Sequence, residues 1–267
     1  MNPLLDDLNL ETLKISKELQ RYVQKYWTVK KYLTKKNTFN IAPDGAMGLL
    51  INPGDNIEID TPSQLYTLKH SEIMLLGIHI NATKMIFNKN CNLVGIRFNP
   101  GAMFCFFNEY YDVLYQKNII LKDKDFYNKL FSDNISKENV LNTYLLDKFK
   151  EDTKINRIMY LFTYIENLDG DVNIDDLANY MSMNRRSLSR LFKKYICISP
   201  NIYLRIVKIK YTRVQLRSLK FSRLTDVSYD NRYFDQAHFI KEFLYFMSQN
   251  PKKYVNEKRY LSQKYNY

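Results

Sequence analysis

The sequence has 267 residues, 45% of them hydrophobic and 25% charged, with a net charge of +12 and a pI near 9.3. That length leaves room for two domains, and the composition is that of a globular chain rather than a disordered or membrane-embedded one. Cys91, Cys105 and Cys197 are widely separated and outside C-x-x-C spacing, which argues against a disulfide framework or a zinc module. Residues 1–20 lack the continuous apolar stretch of a secretory signal, and the longest apolar run, Ile73–Ile80, is too short to span a bilayer. A cytoplasmic location with no membrane contact is therefore expected.

In chain order, Leu10, Leu13, Leu19 and Val23 fall at helical spacing and predict a helix within Leu8–Trp27. Short apolar runs follow at Phe39–Ile41, Gly48–Ile51, Ile57–Ile59, Leu65–Leu68, Met74–Ile80, Lys84–Phe87 and Leu93–Phe98. They are punctuated by Pro43-Asp44-Gly45, Asn52-Pro53-Gly54-Asp55 and Asn99-Pro100-Gly101. Strands this short and dense predict a small β-barrel or sandwich. From Ala102 to Lys150 the pattern turns helical, with Leu141, Leu145, Leu146 and Phe149 forming one stripe. That stripe suits core packing, a contact between domains or a dimer seam. Trp27 and the cluster Phe104, Phe106, Phe107, Tyr110 and Tyr111 suit either a pocket lining or ordinary core.

The second half reads as all helix, at about 154–168, 174–181, 185–195, 200–219, 223–230, 236–247 and 251–257. Asn173 and Asn184 are candidate N-caps, and Ser199-Pro200 and Asn250-Pro251 place a cap before a first-turn proline. An α+β chain is expected: a small β-barrel or sandwich with flanking helices over 1–150, an all-α domain over 154–257 and a basic tail over 258–267.

Charge is concentrated in this second half. Residues 154–267 hold 21 Lys and Arg against 10 Asp and Glu, whereas residues 1–153 hold 19 against 18. No acidic residue lies between Leu177 and Thr225, a stretch with twelve basic ones. Such asymmetry implies a polyanionic partner, or else a solvated basic face.

A repeat organises the same segment. Leu188, Phe192, Pro200 and Tyr203 recur 51 positions later as Phe239, Phe243, Pro251 and Tyr254, and Leu177-Ala178 recurs as Val227-Ser228. Each copy is a short helix, a turn, a longer helix and a proline-started helix, the layout of a helix-turn-helix with a supporting helix. The apolar pair of each second helix pins it to the core and leaves its other face free. In the first copy that face carries Arg185, Arg186, Ser189, Arg190 and Lys193, and in the second Gln236, His238 and Lys241, with Asp235 as the cap. Arginine bonds guanine bidentately, glutamine reads adenine, and most basic groups meet phosphate. Each is alternatively a solvated helix residue, and Arg190 alternatively braces its helix from within.

These residues carry a family resemblance. Leu177-Ala178, Arg186-x-Leu188-x-Arg190-x-Phe192-Lys193, Ser199-Pro200-x-x-Tyr203, Leu224-Thr225-Asp226-Val227, Tyr233-Phe234-Asp235-Gln236-Ala237-His238-Phe239 and Phe243 resemble the AraC/XylS-type DNA-binding domain over residues 154–257. The resemblance implies two helix-turn-helix units joined by a rigid spacer helix at 200–219, with recognition helices at 185–195 and 236–247 entering adjacent major grooves. Ser182, Cys197, Arg232 and Ser248 stand where the family usually has glycine; a positive φ there costs a non-glycine residue roughly 1 kcal/mol. Arg232 sits just before the second recognition helix, which puts the docking of the second unit in question. Upstream, Glu18-Leu19-x-x-Tyr22-Val23-x-x-Tyr26-Trp27, Pro43-Asp44-Gly45 with Leu49-Leu50-Ile51, and Gly95-Ile96-Arg97-Phe98-x-Pro100-Gly101 resemble a cupin-like domain found ahead of such DNA-binding domains. That resemblance implies a sensor or oligomerisation module without naming a ligand.

The function expected is a sequence-specific transcription regulator of double-stranded DNA, more often an activator in this family. An effector, small molecule or protein, would modulate it at the N-terminal domain, with RNA polymerase and a second protomer as further partners. A ligand-independent regulator whose N-terminal domain only dimerises or docks is the alternative. A cupin-type metalloenzyme is disfavoured, because His70, His79 and His238 form no His-x-His pair and neither G-x-S-x-G nor G-x-x-x-x-G-K occurs. No cofactor, metal site or enzymatic activity is expected.

Overall fold

The structure, a computed structural model, describes residues 10–257. The basic tail at 258–267, and Leu8 and Asn9 of the first predicted helix, lie outside the described residues. The β part comprises β1 (Glu11–Leu13), β2 (Val23–Tyr32), β3 (Asn37–Ile41), β4 (Gly48–Ile51), β5 (Ile57–Asp60), β6 (Leu65–Leu68), β7 (Ile73–Leu76), β8 (Thr83–Phe87), β9 (Asn90–Phe98) and β10 (Asn118–Leu121). They form a six-stranded sheet ordered β1-β2-β9-β4-β7-β10 and a four-stranded sheet ordered β3-β8-β5-β6, with antiparallel neighbours throughout. Among the described residues no ladder joins the two.

The larger sheet is buried on both faces. Trp27, Leu50, Met74 and Leu93 meet Phe39, Ile57, Ile59, Met85 and Phe87 of the smaller sheet in one core. Leu49, Ile51, Leu75, Val94, Ile96 and Phe98 point the other way and join the helices in a second core. Two-sided burial explains why Gly48–Ile51 is apolar at every position instead of alternating. Gly95 permits the first core: a Cβ there would run into the Trp27 indole. Trp27 and the Phe104–Tyr111 aromatics thus pack as core or against it, the choice left open by the sequence.

The helix predicted across Leu8–Trp27 is not formed. β1, a turn and β2 take its place, with Leu19 O accepting from Tyr22 N and Val23 N at 2.9 Å. The Leu19–Val23 spacing belongs to that single turn. Beyond it, Tyr26, Trp27, Thr28 and Val29 are aromatic and β-branched residues that suit a pleated strand. The helical stretch predicted over 102–150 is likewise interrupted by β10, which pairs with β7. Around β10 lie α1 (Phe104–Phe107), a 3-10 turn (Asn108–Val113), α2 (Lys124–Leu130) and α3 (Lys137–Lys148). On α3, Leu141 and Leu145 are fully buried and Leu146 is exposed, so the stripe there is core.

The C-terminal helices fall where periodicity places them: α4 (Ile155–Asn167), α5 (Ile174–Tyr180), α6 (Arg185–Ile196), α7 (Pro200–Ser218), α8 (Leu224–Asp230) and α9 (Gln236–Met247), with residues 251–257 helical. Asn173, Asn184, Ser199 and Asp235 each accept a first-turn amide as N-caps. No helix among the described residues is long and apolar enough to cross a membrane.

Ser182 (φ 50°), Cys197 (φ 62°), Arg232 (φ 53°) and Ser248 (φ 52°) all adopt the left-handed conformation. Cys197 and Ser248 terminate α6 and α9 at equivalent points, their amides bonding Lys193 O and Leu244 O. Because the Ser248 side chain is exposed, Ser248→Gly is expected to relieve strain at little cost elsewhere. It should raise stability by about 0.5–1 kcal/mol, read as a higher melting temperature with unchanged circular dichroism.

Burial pushes the thiols up, Cys91 and Cys197 to about 11 and Cys105 to about 12. All three are therefore protonated and poorly nucleophilic at neutral pH. A thiol-titrating reagent should label the native protein slowly and the urea-unfolded protein at once; fast native labelling would contradict this burial.

Candidate nucleic-acid interface

The first helix-turn-helix unit is α5, a turn and α6. Leu188 and Phe192 are fully buried beneath α6, where Phe192 packs edge-to-face on Phe162 of α4 at 5.3 Å and Tyr203 of α7 at 5.9 Å. Arg186, Ser189, Arg190 and Lys193 are exposed on the opposite side. At about 100° per residue, Arg186, Arg190 and Lys193 fall within roughly 60° of arc. None of these three cations forms an ion pair among the described residues, in contrast to Lys194 and Arg185. Arg190 is exposed rather than buried against the domain.

Arg185 has another engagement. It forms a bidentate pair with Asp175 of α5, tying the two helices of the unit together. Hydrogen bonding to that guanidinium holds the Asp175 carboxyl below its usual value. The underside of α6 is anchored by Asp152, which accepts from Tyr195 Oη at 2.8 Å and Lys194 Nζ at 3.2 Å.

The second unit, α8, a turn and α9, repeats the scaffold with different chemistry. Phe239 and Phe243 are fully buried. Gln236 accepts from Thr225 Oγ1 at 3.0 Å across the turn, and His238 Nδ1 faces the Phe234 amide at 3.4 Å. Lys241 is exposed, and Phe234, just before the Asp235 cap, is 88% exposed. The outward face of α9 thus carries one lysine where that of α6 carries three cations.

The two units are held by contacts the sequence alone did not reveal. Arg205 of α7 forms a bidentate pair with Glu242 of α9 at 2.8 and 2.9 Å. Arg232, in the turn of the second unit, pairs with Asp171 in the loop entering the first. Lys208 of α7 bonds Arg232 O at 2.8 Å and approaches Asp171 at 3.6 Å. The second unit is docked, and the side chain at the strained position helps dock it.

The β part also touches both units. Asn81 Nδ2 and Ala82 N, between β7 and β8, donate to Tyr245 O at 2.6 Å and Phe246 O at 2.7 Å, capping the end of α9. Phe104 packs on Tyr195 of α6 at 4.8 Å, and Gly45 receives the Tyr203 ring so closely that a Cβ would stand 2.5 Å from it. A cavity of about 450 Å³ opens along this junction, lined by Arg21, Asp44, Arg97, Tyr160, Glu166 and Lys210. Arg97 pairs with Asp44, and Lys210 with Glu166. Among the described residues no cluster of His, Cys, Asp and Glu could hold a metal ion.

Paired helix-turn-helix units on a spacer helix, joined to a β-sheet domain, define a DNA-binding transcription regulator. Residues 177–257 match a helix-turn-helix domain family, and residues 11–119 match a domain family of unknown function (DUF6597). Residues 177–257 thus form a helix-turn-helix domain of the AraC type. No curated protein sequence matches it significantly. Its fold is shared with ToxT from Vibrio cholerae, at 12% identity over 86% of this chain and 97% of that one, with a TM-score of 0.50. ToxT bound to an unsaturated fatty acid aligns at 11% identity over 86% and 93%, with a TM-score of 0.46. An AraC-type DNA-binding domain regulator from Chromobacterium violaceum aligns at 21% identity over 37% of this chain and 88% of that one, with a TM-score of 0.35.

Proposed function

We propose that the chain is a cytoplasmic, non-enzymatic transcription regulator that lays α6 and α9 into successive major grooves of double-stranded DNA. Arg186, Arg190 and Lys193 supply guanine and phosphate contacts, with Ser189 beside them and Arg185 at the margin of the face. Gln236, His238 and Lys241 serve the second groove. The observation that carries this reading is the exposed cationic face of α6, held outward by a fully buried Leu188 and Phe192. Residues 1–150 act as the regulatory domain, activation being its expected output. The charged junctional cavity is the place for a small effector, while RNA polymerase and a second protomer are the protein partners.

A gel-shift titration on duplexes selected from a random library, repeated across salt concentrations, tests the reading. Binding should weaken steeply as salt rises, because each neutralised phosphate releases condensed counterions. Sequence-indifferent binding, or a flat salt response, would overturn it. A ligand-independent regulator is favoured by the side-chain-filled core between the two sheets. Full activation of a target promoter by purified protein and polymerase, with no small molecule added, would select that alternative.

A further inference from the structure

We propose that Asp171, Arg232 and Lys208 form a joint that fixes the angle between the two recognition helices and so sets the spacing of the two half-motifs read on DNA. This rests on the DNA-binding reading above. Arg232 lies in the turn between α8 and α9, and Asp171 in the loop between α4 and α5, 61 positions earlier. Their ion pair is a direct link from one unit to the other, independent of the spacer helix. Lys208 closes the triangle from the spacer, with its ammonium on Arg232 O and beside Asp171. It also stands 5.0 Å over the Tyr233 ring, whose hydroxyl meets the buried Thr212 at 3.0 Å. The turn is thus held from below by the spacer and from the side by the first unit.

The backbone makes the case for a positioning role. At φ 53° Arg232 occupies a conformation that glycine adopts without strain and an arginine adopts at a cost. A side chain that strains its own turn, is 72% exposed and reaches the opposite unit is hard to account for as a folding device. Its geometric effect is to lock the turn leading directly into the Asp235 cap of α9. Arg205 and Glu242 pin α9 further along, so the recognition helix is held at two points on different partners.

The test uses the full chain and a duplex selected by the wild-type protein, together with versions carrying one base pair more or fewer between the half-motifs. Wild type should lose at least tenfold in affinity on the altered spacings. Arg232→Gly should melt at the same or a higher temperature, yet its spacing discrimination should shrink at least threefold. Arg232→Lys, which keeps the charge, should retain most of the discrimination, and the exchange Arg232→Asp with Asp171→Arg should recover it relative to Arg232→Asp alone. Undiminished discrimination in Arg232→Gly would overturn the joint while leaving the DNA-binding reading intact. If the wild-type protein selects no duplex, the DNA-binding reading itself fails and the joint fails with it. Should the exchange variant not fold, Arg232→Gly against Arg232→Lys decides the question.

Discussion

Replacing Arg186 and Arg190 together by alanine is expected to weaken binding to a selected duplex by about 2–4 kcal/mol, from roughly thirtyfold to a thousandfold. Both guanidinium groups are exposed on one face of α6 with no carboxylate partner among the described residues, so their loss should leave no buried charge unpaired and the fold intact. The form of the loss is diagnostic. If both groups meet phosphate, the slope of log affinity against log salt should become shallower by about 2, with sequence preference unchanged. If one meets a guanine edge, preference at that base pair should relax by about 1–3 kcal/mol. Lys241→Ala on α9 should remove about one unit of slope, so the salt response resides mainly in the first unit. Unchanged affinity in a folded double variant would remove α6 from the groove.

Phe192→Ala should be the most damaging single change to stability, costing about 3–5 kcal/mol. Its ring is fully buried where α6, α4 and α7 converge, in edge contacts with Phe162 and Tyr203. Truncation leaves a cavity walled by two large aromatic rings that have little freedom to collapse into it. Urea unfolding is the measurement: the midpoint should fall sharply at an unchanged slope if the transition remains two-state. A loss below about 1 kcal/mol would mean that this junction is loosely packed.

The contrast between the two halves in sequence has a physical origin. The helical half is written locally. A cap, a 3.6-residue period and a buried pair lie within one turn or two, and the 51-residue repeat states them twice. The family resemblance marked Ser182, Cys197, Arg232 and Ser248 as left-handed positions, whereas Asp169 and Leu219, which are left-handed too, carry no such mark. The β half is written in pairings. β10 finds β7 between 42 and 48 residues upstream, and Gly48–Ile51 loses its alternation because both faces are covered. Periodicity within Leu8–Trp27 accordingly mistook one turn between two strands for a helix.

At the interface the cationic face of α6 could be read from the residues opposite Leu188 and Phe192. Its internal commitments could not. Arg185 is taken by Asp175 ten positions earlier, and Arg232 by Asp171 across the unit boundary. Asn81 reaches Tyr245 across 164 positions, a contact no local pattern encodes.

That last contact bears on how such a chain can be cut and recombined. The carbonyls of Tyr245 and Phe246 find their donors in the loop at 81–82, and Tyr195 and Tyr203 find their packing partners at Phe104 and Gly45. A fragment starting at 154 would present those carbonyls and rings to water as a sticky scar. Grafting a foreign sensor onto this reading head therefore requires transplanting the turn at 43–45 and the 77–82 and 102–115 segments with it, because they are as much a part of the head's foundation as its own helices.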